Sequence, residues 1–138
     1  MAGPLSLKRV YDPPHAQDGL RVLVDRLWPM GLRKRDARIY VWLREIAPSD
    51  ELRRWFGHEP ARWEMFRARY RDELATAPEA VETLLSHCRA GTVTLLFAAR
   101  DWQHNNAVVL REVLMEELAE EARASEPASP VCYRGDDA

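Results

Sequence analysis

The stretch LLFAARDWQHNNAVVL, Leu95 to Leu110, changes character at Arg100: an apolar run stops, Asp101, His104, Asn105 and Asn106 follow, and apolar spacing then resumes. Arg100 carries a permanent charge on a planar fork that suits phosphate or carboxylate. His104 has the one side chain here that titrates near neutral pH. Asp101 can share its proton or cap a helix, and the two asparagines can donate and accept. A second segment, LRVLVDRLW (Leu20 to Trp28), ends in Asp25, Arg26 and Trp28 ahead of Pro29 and Gly31. If both segments are parallel strands, their polar ends converge on the carboxyl edge of a sheet, where ligands of open α/β folds bind.

That convergence defines the expected site. Arg26 and Arg100 would hold a small anion, His104, Asp101 and Asp25 would handle protons, and Asn105 would orient the ligand. Trp28 and His58, the latter from the turn WFGHEP, would cover it. Each residue also has an ordinary reading. Asp101 could only cap, Asp25 and Arg26 could pair to fix a strand end, His104 could be solvated, and WFGHEP could be an inter-helix corner. No recognised metal-ligand spacing, Walker loop, GxGxxG or GxSxG occurs, so no metal or cofactor is expected.

The elements that must position these groups follow from periodicity. LSLKRVY (Leu5 to Tyr11) alternates as a half-buried strand, Leu20 to Trp28 forms a second, and TVTLLFAA (Thr92 to Ala99) is a fully buried third. Between them, Ile39, Leu43 and Ile46 predict a short amphipathic helix from Asp36. Ser49 caps a second, which Gly57 stops. Pro60 opens a third with Trp63, Phe66, Tyr70 and Leu74 inward, and Pro78 a fourth with Val81, Leu84, Leu85 and Cys88 inward. The last helix, with Asp101 as its cap, carries Ala107, Leu110, Leu114 and Leu118.

Strands separated by helices predict an α/β fold: a small, largely parallel sheet flanked by helices in a three-layer, Rossmann-like arrangement, as one domain over 1–122 with a tail over 123–138. The connection between the first two strands is too short for a usual helical crossover. Either those strands are antiparallel or the crossover is non-helical.

The motifs KRVYDPP, DGLRVLVDRLWPMG, WLREIAPSDELRRWFGHEPARWEMFRARYRDEL and VTLLFAARDWQHNNAVVLREVL resemble the YeaO-like branch of the domain-of-unknown-function 488 family, over about Lys8 to Leu118. The resemblance implies an α/β fold. Many relatives in the broader family carry a cysteine and a glutamate at the end of the last strand and a Cys-His-Arg triplet in the next helix. Phe97 and Ala99 stand at the first pair here, and Asn105, Asn106 and Ala107 at the triplet, whereas Asp101 and His104 fit the pattern. Thiol or metal chemistry is therefore not carried over. Met30 stands where most of the branch has arginine, so either a ligand contact is lost or Arg33 supplies it.

The 138 residues are 46% hydrophobic and 30% charged, with a net charge of −2, which argues against a chain built mainly to hold nucleic acid. The arginine-rich span from Arg33 to Arg71 keeps a nucleic-acid-associated or regulatory module as an alternative, and the acidic last helix keeps a protein-interaction module. No apolar run reaches the roughly 20 residues of a membrane span. MAGPLSLKRV lacks the core of a secretory signal, and Cys88 and Cys132 are the only cysteines, so a cytoplasmic location without a disulfide framework is expected.

Overall fold

The computed structural model describes residues 3–125. Strands β1 (Leu5–Arg9), β2 (Leu20–Leu23), β3 (Val41–Trp42) and β4 (Val93–Phe97) form one sheet in the order β1-β4-β2-β3, with every neighbouring pair parallel. Five α-helices accompany it among the described residues: α1 (Lys34–Ala37), α2 (Asp50–Phe56), α3 (Trp63–Ala75), α4 (Pro78–Ala90) and α5 (Asn106–Ala124). The architecture is the α/β class that the sequence indicates. The tail expected from residue 123 lies, beyond Ser125, outside the described residues.

β4 is the centre. All five of its residues are buried, as a strand covered on both faces requires. Leu5 of β1 and Leu20 of β2 both register with Val93, so the flanking strands start level and their carboxyl ends emerge at one edge. Val22, Val24, Leu95 and Phe97 pack against Phe66 and Tyr70 of α3, Leu84 of α4, and Leu110 and Leu114 of α5. This face is the helical one: Ser49 caps α2 and Gly57 ends it, Phe66, Tyr70 and Leu74 of α3 are buried with Trp63 partly so, and all four expected residues of α4 are buried.

The other face is covered differently. Val10, Leu23 and Leu96 pack with Trp28, Leu32, Ile39 and Trp42, which come from irregular chain around the single turn of α1. The expected amphipathic helix from Asp36 to Ile46 does not form. Arg38 turns left-handed at φ 51°, and the next residues join the free edge of β2. There the Tyr40 N–H donates to Arg21 O at 2.7 Å and the Leu43 N–H to Leu23 O at 2.9 Å. Tyr40, Val41 and Trp42 are strand formers, and an unpaired strand edge outcompetes one helical stripe for them.

The short connection between β1 and β2 is a non-helical crossover with one 3₁₀ turn at Ala16–Asp18. It returns across β4, and Gly19 meets the sheet so closely that a Cβ there would lie 2.2 Å from Thr92 O, at a φ of 66°. Glycine is obligatory on both counts. Buried Asp18 then fastens the crossover. Its carboxylate accepts from Lys8 Nζ at 3.1 Å and Arg21 Nη1 at 2.7 Å, and Arg21 Nε and Nη2 donate onward to Ala37 O. Burial works to raise the Asp18 pKa, but the His15 N–H, Lys8 and Arg21 outweigh it and hold the carboxyl below its usual range.

The Asp18 side chain is 11% exposed and that of Arg21 5%. Asp18→Ala would leave a buried guanidinium without its counter-charge, and is expected to cost about 3 kcal/mol of unfolding free energy in urea titrations. A loss under about 1 kcal/mol would mean that the crossover does not depend on this pair.

Candidate functional site

At the carboxyl edge of the sheet, the ends of β2 and β4, the start of α5 and the end of α2 enclose a cleft of about 490 Å³, within the range of small-molecule sites. Asp25, Arg26, Trp28, His58, His104 and Asn105 all line it, so six of the eight residues singled out by sequence meet there. Arg100 and Asp101 are not among the lining residues, and Arg100 is exposed. A second groove of about 540 Å³ runs between Leu43, Glu45 and the start of α4. Its lining holds carboxylates and threonines but no basic side chain or histidine, so the strand-edge cleft is the chemical candidate.

The strand ends are tied together before they can present anything. Asp25 Oδ2 accepts from the Ala98 N–H at 2.9 Å, and Asn106 Nδ2 donates to Val24 O at 2.9 Å. Arg9, the last residue of β1, donates through Nε to Ala99 O and through Nη2 to Ala98 O, both at 2.9 Å. Burial raises the Asp25 pKa, against the opposing influence of the Ala98 N–H, the Asn106 amide and the charge of His58. Asp25 thus combines a structural latch with a carboxyl whose ionisation is disfavoured by burial.

The Asp101–Asn106 segment is a turn where the sequence suggests the first turn of a helix. Asp101 Oδ1 accepts from the Gln103 N–H at 2.9 Å and the His104 N–H at 3.1 Å, and Oδ2 meets His104 Nδ1 at 2.8 Å. The Gln103 N–H, then the His104 side chain, hold Asp101 below the usual carboxylate range. An Nδ1–H on His104 would leave its Nε2 as the free nitrogen; the ring also stands edge-on to Trp63, with centroids 5.1 Å apart. Asp101 is therefore not the cap of α5. Asn105 is: its Oδ1 accepts from the Val108 N–H at 3.1 Å, while Nδ2 donates to Asp101 O at 2.8 Å. With both ends of its amide engaged and 2% exposure, Asn105 holds the turn as well as lining the cleft.

Arg26 is likewise partly committed. Its Nε donates to Pro48 O at 2.9 Å and Nη2 to Ala47 O at 3.4 Å, which braces the loop leading into α2. Trp28 is fixed by its Nε1 donating to Leu32 O at 2.8 Å and by an edge contact with Trp42. His58 reaches the cleft because Gly57 and His58 both adopt left-handed conformations, at φ 52° and 57°. For histidine that conformation costs about 1–2 kcal/mol, and such strain gathers where geometry serves a purpose.

Sequence reasoning missed two cationic lining residues, Arg53 and Arg54. Both sit on α2 and pair with Asp50, Arg53 Nη2 to Oδ1 and Arg54 Nη2 to Oδ2, each at 2.7 Å. Arg53 Nε is buried without a hydrogen-bond partner. Periodicity reads these charges as a solvated helix face. The available signal was the Gly57–His58 turn, which delivers the end of α2 to the site. Tyr11, Phe56 and Phe66 complete the wall. No cluster of three or more potential metal ligands occurs among the described residues.

A family model described as the inactive DUF488-N3 subclade matches residues 4–134. An uncharacterised protein of Mycobacterium tuberculosis strain H37Rv is 42% identical over 106 residues, covering 77% of this chain and 89% of its own. The uncharacterised protein YeaO of Escherichia coli K12 is 41% identical over 110 residues, covering 80% of this chain and 96% of its own. No solved structure matches the chain.

The raised pKa of Asp25 fixes the sign of a pH effect. Its contribution to stability is fully present below the unfolded-state pKa and is lost as pH rises through the higher folded-state value. Asp25→Asn can still accept from the Ala98 N–H through its amide oxygen. The melting temperature of the variant minus that of the parent should therefore climb with pH across that window and then level off. A difference that stays flat with pH would show that Asp25 ionises as freely in the folded chain as in the unfolded one.

Proposed function

The chain belongs to the DUF488 family, in its YeaO-like, inactive DUF488-N3 branch, and from that premise we propose that its strand-edge cleft binds a small anion, a phosphate or carboxylate, without transforming it. The observation that carries this reading is the charge of the lining: Arg26, Arg53 and Arg54, with His58 and His104 beside them, against the single carboxylate of Asp25. The raised pKa of Asp25 acts in the same direction, since it disfavours the one carboxylate charge that would oppose an anion. Arg100 belongs outside this set, since it is exposed and does not line the cleft.

Binding without turnover is supported by what stands where broader relatives carry reactive groups. Phe97 and Ala107 are core, Asn105 caps α5, and Asn106 latches β2. These side chains hold the fold. The alternative, acid–base catalysis by His104 with Asp101 orienting its ring and Asp25 as a second proton carrier, is favoured by the 2.8 Å Asp101–His104 contact. The two differ in whether the bound compound is recovered intact.

Part of the charge behind the other readings is paired within the chain, although no ion pair holds Arg33, Lys34, Arg35 or Arg38 among the described residues. Arg67 and Arg71 pair with Glu112 and Glu116 of α5, Arg89 with Glu82 and Glu121, and Arg62 and Arg69 lie over Trp55. This leaves less free charge for a nucleic-acid backbone, or for a partner on the acidic helix, than the sequence suggests. A cytoplasmic location is part of the proposal. It is supported by the buried thiol of Cys88, which is free among the described residues.

Thermal unfolding with inorganic phosphate and citrate tests the reading. At a hundredfold excess over its dissociation constant, a bound anion should stabilise the parent protein by about 2.7 kcal/mol. The shift should disappear in an Arg53→Gln, Arg54→Gln double variant and persist in Arg100→Ala. Absence of any shift in the parent, or its survival in the double variant, would sink the anion reading. Phosphorus and proton spectra of the incubated compounds should remain unchanged; new resonances would replace binding with catalysis.

A further inference from the structure

The cations form only part of the cleft, and an inorganic anion would leave the remainder unused. Trp28 and Pro29 line it beside the arginines, and Trp28 is held in place on both its polar and apolar sides before any ligand arrives. At the mouth, Leu27 is 55% and Met30 90% exposed, and both add apolar surface to the lining. On the inner side Phe56 lies stacked on Phe66 at 4.4 Å. Pre-positioned aromatic and apolar surface next to paired cations is the arrangement of a site for a flat ring that bears a charge.

A second observation identifies where the charge would sit. The Asp50 carboxylate gives one oxygen to Arg53 and the other to Arg54. A ligand carboxylate or phosphate would use the same two guanidinium groups, so Asp50 is an internal occupant of that receptor. Arg54 is largely exposed and Asp50 partly so, which makes the internal pair weak and exchangeable.

Building on the anion reading above, we propose that the ligand is an aromatic anion, a planar ring bearing one phosphate or carboxylate, whose ring packs against Trp28 and Pro29 and whose charged group takes Arg53 and Arg54 from Asp50. Asp50 then sets the affinity by competition: it keeps the arginines in place while the cleft is empty and raises the threshold for weak anions.

Calorimetric titration of the full chain with phenyl phosphate, cyclohexyl phosphate, benzoate and inorganic phosphate tests this. Phenyl phosphate should bind at least tenfold more tightly than inorganic phosphate, which corresponds to about 1.4 kcal/mol, and more tightly than cyclohexyl phosphate. Benzoate relative to phenyl phosphate tells which charged group the receptor prefers. Asp50→Asn should tighten phenyl phosphate several-fold, although it removes an acidic residue from the first turn of α2 and lowers the melting temperature of the free protein. A merely structural Asp50 would leave affinity unchanged or weaken it. Inorganic phosphate binding as tightly as phenyl phosphate, or cyclohexyl phosphate matching it, would overturn the aromatic class while leaving the anion reading intact. If no compound bound, both would fall. The parent-protein comparison decides the ligand class even if the variant does not fold.

Discussion

The Asp18 carboxylate, buried between Lys8 and Arg21, closes a connection that regular secondary structure could not make. β1 and β2 are parallel with β4 between them, so the chain must travel back along the sheet in the residues from Val10 to Gly19. A helix does not fit into that length. The crossover is instead pinned by a charge, and through Arg21 the same charge holds Ala37 O and the irregular segment around α1. One polar network thus anchors the irregular chain that covers this face where a second layer of helices would otherwise lie. The arrangement is stable because every member of the network has a partner, and the cost of burying each charge is offset by the others.

The carboxyl edge is organised by the same economy of short contacts. Asp25 accepts from the backbone of β4's continuation, Asn106 donates to the backbone of β2, and Arg9 holds the carbonyls of Ala98 and Ala99. These bonds fix the strand ends so that the side chains facing the cleft start from defined positions. Of the positions that carry cysteine, glutamate or the Cys-His-Arg triplet in broader relatives, Phe97 and Ala107 are core here, Asn105 caps α5 and Asn106 latches β2, while Ala99 lines the cleft.

Much of the site was legible because its residues lie at breaks in pattern. Asp25, Arg26 and Trp28 end one apolar run, His104 and Asn105 follow another, and Gly57–His58 interrupts two helices. Roles were harder to read than places. Asp101 and Asn105 are both good caps, and local sequence does not say which one the helix will use. The turn closed by Asp101 on the Gln103 and His104 N–H groups moves the helix start to Asn106 and hands the cap to Asn105. Arg53 and Arg54 were hidden for the opposite reason: next to Asp50 they satisfy a helix-surface pattern completely, so nothing in their spacing marks them as facing a cleft.

By itself the sequence determined the class of fold, the helices α2 to α4, the buried central strand and the region of the site. Each of these rests on hydrophobic period, caps and breakers, which are properties of neighbours along the chain. Only tertiary structure decided that β1 and β2 run parallel around β4, that Tyr40 to Trp42 become an edge strand, that Arg100 faces away from the cleft and that Arg53 and Arg54 face into it. Those outcomes depend on which backbone groups and charges meet across long stretches of chain. A free strand edge captured a would-be helix, and a left-handed turn at Gly57 and His58 delivered a helix end to a sheet edge.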